Sequence, residues 1–168
     1  PRIFNKRSFY IPYGVRQLEL FPEKMKGRQL NVCFLGRLDL LKGVDQLKKI
    51  NDILESKGVL VKWTIIGKGP LEQMLLDQWK GNEHVDFVQP GSSGQVYQLL
   101  QKQDVFVLPT SFEGTPVSIL ECISNGVVPI VYDLPGGIRD VVKEGIVFRV
   151  ELDDAAGIAE KILVLDIG

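Results

Sequence analysis

Apolar residues along this chain come in short dense runs, separated by longer stretches in which they recur every three or four positions. LNVCFLG (30–36) predicts a buried strand. GVDQLKKINDILESKG (43–58) predicts a helix, with Val44, Leu47, Ile50 and Leu54 on one face and Gly58 placed to cap its end. VKWTIIG (61–67) is the next strand, and PLEQMLLDQWKG (70–81) a helix with Pro at its start and Gly at its close. HVDFV (84–88) predicts a short strand, SGQVYQLLQKQ (93–103) a helix and DVFVLP (104–109) a strand. The same alternation continues through a helix at 116–125, a strand at 128–133, a short helix at 136–145, a strand at 146–150 and a last helix at 153–166.

Strands alternating with helices of this length predict a parallel sheet of about six strands, with helices on both faces. Short connections between them fit right-handed crossovers. In such a sheet the ligand crevice lies at the carboxyl ends of the strands, where the strand order reverses. The loops after 36, 67, 89 and 109 are therefore the places to look for chemistry.

At 168 residues the chain is long enough for one domain with a substantial core. Its 45% hydrophobic and 24% charged content is that of a soluble globular protein. A net charge of −1 gives no electrostatic footprint for nucleic acid or anionic lipid. No stretch approaches the roughly 18 apolar residues of a membrane span. Cys33 and Cys122 stand far apart in apolar surroundings and read as buried free thiols, and one histidine with two such cysteines leaves no structural zinc site. The chain starts at Pro1 and stops at the end of a helix, which predicts a piece of a longer protein: 1–29 as a lead-in segment and 30–168 as the domain itself.

SFEGTPVSILECISNGVVPI (111–130) places Glu113 just before a helix and Glu121 inside it. Thr115 can cap that helix, and Pro116 suits its first position because the missing N–H has no helical partner there. The amides of Val117 and Ser118 then point out of the helix start, where they and the dipole favour an anion. Glu121 leans back over Val117 and Ser118 toward the same mouth. Carboxylates accept hydrogen bonds from vicinal hydroxyls. Either the two acids are solvated surface groups, or a ligand with hydroxyls and phosphates lies across them.

FLGRLDLLKG (34–43) ends the first strand at Gly36 and supplies Arg37 and Lys42, a fork and a point charge that can neutralise a diphosphate or simply be solvated. IIGKGP (65–70) carries Gly67 and Gly69, which permit a sharp turn and a close approach to a ligand. As dinucleotide-binding evidence a lone G-x-G is weak. His84 reads as a strand-start residue with no catalytic task.

Together these stretches resemble the carboxy-terminal domain of the family 4 retaining glycosyltransferases of GT-B fold. YIPYGV (10–15) is similar to the family's lead-in turn, with Tyr13 in place of Asn. FLGRLDLLKG resembles its Gly-Arg…Lys-Gly diphosphate loop, and IIGKGP its Gly-x-Gly-Pro turn. DVFVLPTSFEGTPVSILECISNGVVPIV resembles its most specific signature, two Glu separated by seven residues. PGGIRDVV (135–142) resembles its Gly-Gly-Ile segment. The sequence departs from the family at Pro116 (often Gly), Cys122 (usually Ala) and Asp140 (commonly Glu), and its segment 143–150 is shorter.

The resemblance implies a Rossmann-like three-layer sandwich that forms one half of a GT-B fold. It implies transfer of a hexosyl residue from a nucleotide-diphosphate sugar, with UDP or GDP the favoured carrier, to a glycan, lipid or other acceptor, as in polysaccharide biosynthesis. Arg37 and Lys42 would hold the diphosphate, Glu113 the donor hexose and Glu121 the ribose. Gly36, Gly67 and the amides around Gly114, Thr115, Val117 and Ser118 would meet phosphate and sugar, and the base would lie near Val88, Gln89 and Tyr97. Arg37, Lys42 and Glu113 form the implied catalytic set. No metal or cofactor is implied. The partners implied are the donor and a missing amino-terminal acceptor domain, with neither nucleic acid nor a membrane contact from this domain. The location implied is the cytoplasm, with peripheral attachment at the inner membrane face through the missing half. Alone, the domain is expected to be inactive. Two other readings stay open: a non-catalytic nucleotide-sugar-binding domain, and a different nucleotide-sugar enzyme such as an epimerase, which would need another acid and histidine set.

Overall fold

The computed structural model describes residues 29–114, 117–135 and 147–166. The lead-in segment up to 28, the predicted helix at 136–145, and Thr115 and Pro116 lie outside the described residues. Six strands form one sheet: β1 (Asn31–Leu35), β2 (Lys62–Ile66), β3 (Val85–Val88), β4 (Val105–Leu108), β5 (Val128–Tyr132) and β6 (Phe148–Val150). Every pairing is parallel, in the order β3-β2-β1-β4-β5-β6. Five α-helices are described: α1 (Val44–Ser56), α2 (Glu72–Gln78), α3 (Ser93–Leu100), α4 (Val117–Ser124) and α5 (Ala155–Asp166). The expected α/β, Rossmann-like sheet is the one observed.

The order follows from the crossovers. From β1 the chain moves outward through α1 and α2 to β3, then returns through α3 to β4 and moves the other way. Right-handed connections running in opposite directions place their helices on opposite faces. The strands record this: all four residues of β4 and the last four of β2 are buried, as a sheet covered on both sides requires. Trp63 of β2 meets Trp79 edge-on at 5.8 Å, and its indole N–H donates to Asn51 of α1 at 3.0 Å, so the largest core residue has its polar atom satisfied. α5 packs back against α1.

The carboxyl-end loops are bonded to one another across the top of the sheet. Gly67 N–H donates to Val88 O (2.9 Å), Gly36 N–H to Ile66 O (3.0 Å), Leu38 N–H to Lys68 O (3.0 Å) and Ser111 N–H to Leu41 O (3.0 Å). The buried Thr110 hydroxyl donates to the same Leu41 carbonyl at 2.8 Å. Two glycines allow this closeness. At Gly67 (φ +144) a Cβ would sit 1.9 Å from Gly36 O, and at Gly43 (φ +70) 1.8 Å from Pro109 O. The space that Gly67 leaves is thus filled by the neighbouring loop's backbone.

Gly43→Ala is therefore expected to destabilise the chain strongly. A left-handed backbone alone costs a non-glycine residue about 1–2 kcal/mol, and the clash with Pro109 is with backbone that cannot swing aside. A urea melt in which Gly43→Ala loses less than about 1 kcal/mol would contradict this packing.

Candidate functional site

The strand order reverses between β1 and β4, and the loops leaving these two strands hold the charged residues singled out above. After β1 the chain makes a short 3-10 turn, Leu40–Lys42. Asp39 caps it: one carboxylate oxygen accepts from Lys42 N–H at 3.0 Å, and Gly43 closes it in the left-handed conformation. The other Asp39 oxygen lies 3.2 Å from Arg37 Nε. One carboxylate thus fixes the backbone at Lys42 and holds Arg37 by Nε, while the Arg37 side chain stays 71% exposed.

Lys42 reaches across the seam to the β4 loop, where its Nζ lies 2.5 Å from Glu113 Oε2. The pair is well shielded, with side chains 27% and 10% exposed. Of the sequence-predicted residues, Gly36, Arg37, Lys42, Glu113 and Gly114 gather at this seam, and α4 begins at Val117 just beyond it. Val117 and Ser118 are half-buried in its first turn.

Glu121 lies in α4, half-buried, and its carboxylate makes no hydrogen bond or ion pair among the described residues. Burial pushes its carboxyl above the usual range. The sign of the consequence is clear: the folded chain holds this proton more tightly than the unfolded one, so the position disfavours folding as pH rises through the carboxyl's range. A ligand that donates hydroxyls to the ionised form would lose affinity on acidification, starting above the ordinary glutamate value of about 4.3. Titrating ribose-containing ligands against pH tests this, and Glu121→Gln should flatten the profile.

Beside the seam a cleft of about 700 Å³ runs over Gly36, Arg37, Lys68, Gly69 and Glu72. Farther along, Val88 and Gln89 line a second hollow of about 340 Å³ with Gln98 and Lys102. Tyr97 is half-buried on α3 and is not among the residues lining it. His84 sits at the amino end of β3, at the far end of the sheet from these loops. Both cysteines are buried free thiols. Among the described residues no group of three metal-ligating side chains converges, and no helix is long and apolar enough to cross a membrane.

Two residues at the site were not singled out from sequence. Asp39 had a local signal, an Asp three positions before Lys42 with a glycine to follow, which is a capping pattern. Glu72 had none, because its partner Gln89 is 17 residues away.

The chain spans 37% of the length of a curated relative from Escherichia coli (strain K12), the "putative colanic acid biosynthesis glycosyltransferase WcaL", with 29% identity over 153 residues that make up 84% of this chain. Its fold is shared with TarM (TM-score 0.77, 18% identity, 92% of this chain and 31% of that one). It is shared also with the pneumococcal O-GlcNAc transferase GtfA, solved in complex with UDP and GlcNAc (TM-score 0.62, 17% identity, 80% of this chain and 28% of that one). The sequence model of the glycosyl transferases group 1 family matches residues 15–165, nearly the whole chain with its seam, cleft and both glutamates, and the chain belongs to that family.

Proposed function

We propose that this chain is the donor-binding half of a retaining glycosyltransferase that moves a hexosyl residue from a nucleoside-diphosphate sugar to a glycan, lipid or other acceptor. The observation that carries the proposal is the Lys42–Glu113 pair at the strand-order reversal, with Arg37 held open beside it. Phosphates entering there meet Arg37 and draw Lys42 away from Glu113. The freed carboxylate then accepts hydrogen bonds from sugar hydroxyls. Charge that develops on the departing diphosphate is stabilised by the two cations and by the amides around Gly114, Val117 and Ser118. Glu121 takes the ribose hydroxyls. Retention follows from same-face attack, with a donor phosphate oxygen assisting removal of the acceptor proton. The acceptor is held by a facing amino-terminal domain, and any membrane attachment belongs to that domain. The UDP bound by GtfA and the transferase name of WcaL support a nucleotide-sugar donor.

Calorimetry on wild type and Arg37→Ala tests the proposal. Loss of a hydrogen bond to a charged group is worth about 1.5–3 kcal/mol, so Arg37→Ala should weaken a nucleoside diphosphate roughly tenfold to a hundredfold and leave the nucleoside unchanged. Equal losses for both ligands would contradict the assignment. A panel of nucleotide sugars on the full-length protein then separates transfer from binding without turnover.

A further inference from the structure

Resting on the donor-site reading above, we infer that Glu72, steadied by Gln89, reads the base of the donor and selects guanine. The 700 Å³ cleft begins at Gly36 and Arg37, above the carboxyl end of β1, and passes over Lys68 and Gly69 to Glu72 at the start of α2. It therefore leads away from the phosphate-binding seam toward β2 and β3. Neighbouring strands stand about 4.8 Å apart, so two strand spacings, the reach of a nucleoside beyond its phosphates, separate β1 from β3.

At that far end Gln89 Nε2 donates to Glu72 Oε1 at 2.5 Å, bridging the β3 loop to α2. The other carboxylate oxygen has no partner among the described residues. A ligand arriving there meets an acceptor-only group held in place, since an ionised carboxylate offers two oxygens and no hydrogen.

The bases differ in what they present to such a group. Guanine carries two adjacent donors, N1–H and the N2 amino group, which fit the two oxygens of one carboxylate side by side. Uracil carries one N–H between two carbonyl oxygens, so a carboxylate facing that edge gains one hydrogen bond and is repelled on either side. Adenine sets its amino group beside a ring-nitrogen acceptor, again one donor with one repulsion. A neutral acceptor such as glutamine would tolerate all three. The negative charge separates them, because an unpaired acceptor facing an acceptor costs more than a missing bond. Gln89 holds the carboxylate by one oxygen and so sets its orientation to the incoming edge.

The test is titration of GDP, UDP and ADP into the protein and into Glu72→Gln, by calorimetry. GDP should bind at least tenfold more tightly than UDP or ADP. Glu72→Gln should weaken GDP and strengthen UDP and ADP, bringing the three to a common level. The glutamine keeps the side chain's shape at the helix surface, and a thermal melt of the variant should match wild type. UDP or ADP binding as tightly as GDP overturns the base assignment and leaves the donor site standing, as does an equal loss for all three nucleotides in Glu72→Gln. No binding of any of the three overturns the donor-site reading and this inference together.

Discussion

Replacing Lys42 by alanine is expected to lower sugar transfer by the full-length protein roughly a hundredfold to a thousandfold, the usual loss when one preorganised stabiliser of developing charge is removed. Among the described residues the Lys42 ammonium is the ion-pair partner of Glu113, at 2.5 Å, and both are largely withdrawn from water. Removing Lys42 therefore has two consequences. The diphosphate loses a cation, and Glu113, 10% exposed, is left without its counter-charge. The second effect lowers stability, by less than the several kcal/mol of a fully buried pair because water still reaches the lysine. The double variant Lys42→Ala with Glu113→Gln separates the two: its melting temperature should return toward wild type, whereas transfer should not recover. Glu113→Gln alone should bind a sugar-free nucleoside diphosphate at least as tightly as wild type, since phosphates no longer compete with a carboxylate for Lys42, yet transfer poorly. Transfer within tenfold of wild type in Lys42→Ala would refute the role assigned to the pair.

The 168-residue chain by itself should bind a donor nucleotide and transfer almost no sugar. On the proposed reading, the residues at the seam form one wall of a site. Arg37, Lys42 and Glu113 can hold a donor, and nothing among the described residues offers a second wall to hold an acceptor against it. Orienting two reactants can supply roughly 7–11 kcal/mol of a barrier in favourable cases, and that contribution requires both walls. Affinity should also be modest, because a cleft walled by this chain alone leaves much of a bound donor in water. A radiolabelled-donor assay on the purified chain is decisive: turnover of about 1 per second or more, an ordinary enzyme rate, would show that the chain is complete in itself.

The fold was legible in the sequence to a degree set by how local its causes are. Each described strand and helix fell within a residue or a few of its expected span: 30–36 became Asn31–Leu35, and 43–58 became Val44–Ser56. Buried strands announce themselves as unbroken apolar runs, and helices by their period, so both can be read without knowing their neighbours. Helix ends were read too generously. The helix expected over 70–81 is regular only from Glu72 to Gln78, because Leu71 and Trp79 have left helical geometry. The 3-10 turn Leu40–Lys42 went unseen, although Asp39 and Gly43 bracket it. A turn of three residues has too few positions to show a period.

The sequence by itself determined that this chain folds as a parallel α/β sheet and that its charged motifs fall in the loops at one end of it. Alternation of elements forces parallel pairing, and parallel pairing puts every strand-to-helix loop on the same edge. It also determined which residue types stand in those loops. Only the tertiary structure decided who meets whom. Lys42 and Glu113 are 71 residues apart and touch because β4 inserts beside β1. Gly67 is a glycine because the Gly36 loop needs the space, and Glu72 is steadied by Gln89 because β3 lies beside β2. Such contacts depend on strand order and on the direction of each crossover, and these are set by packing over the whole sheet, which leaves no periodic trace along the chain.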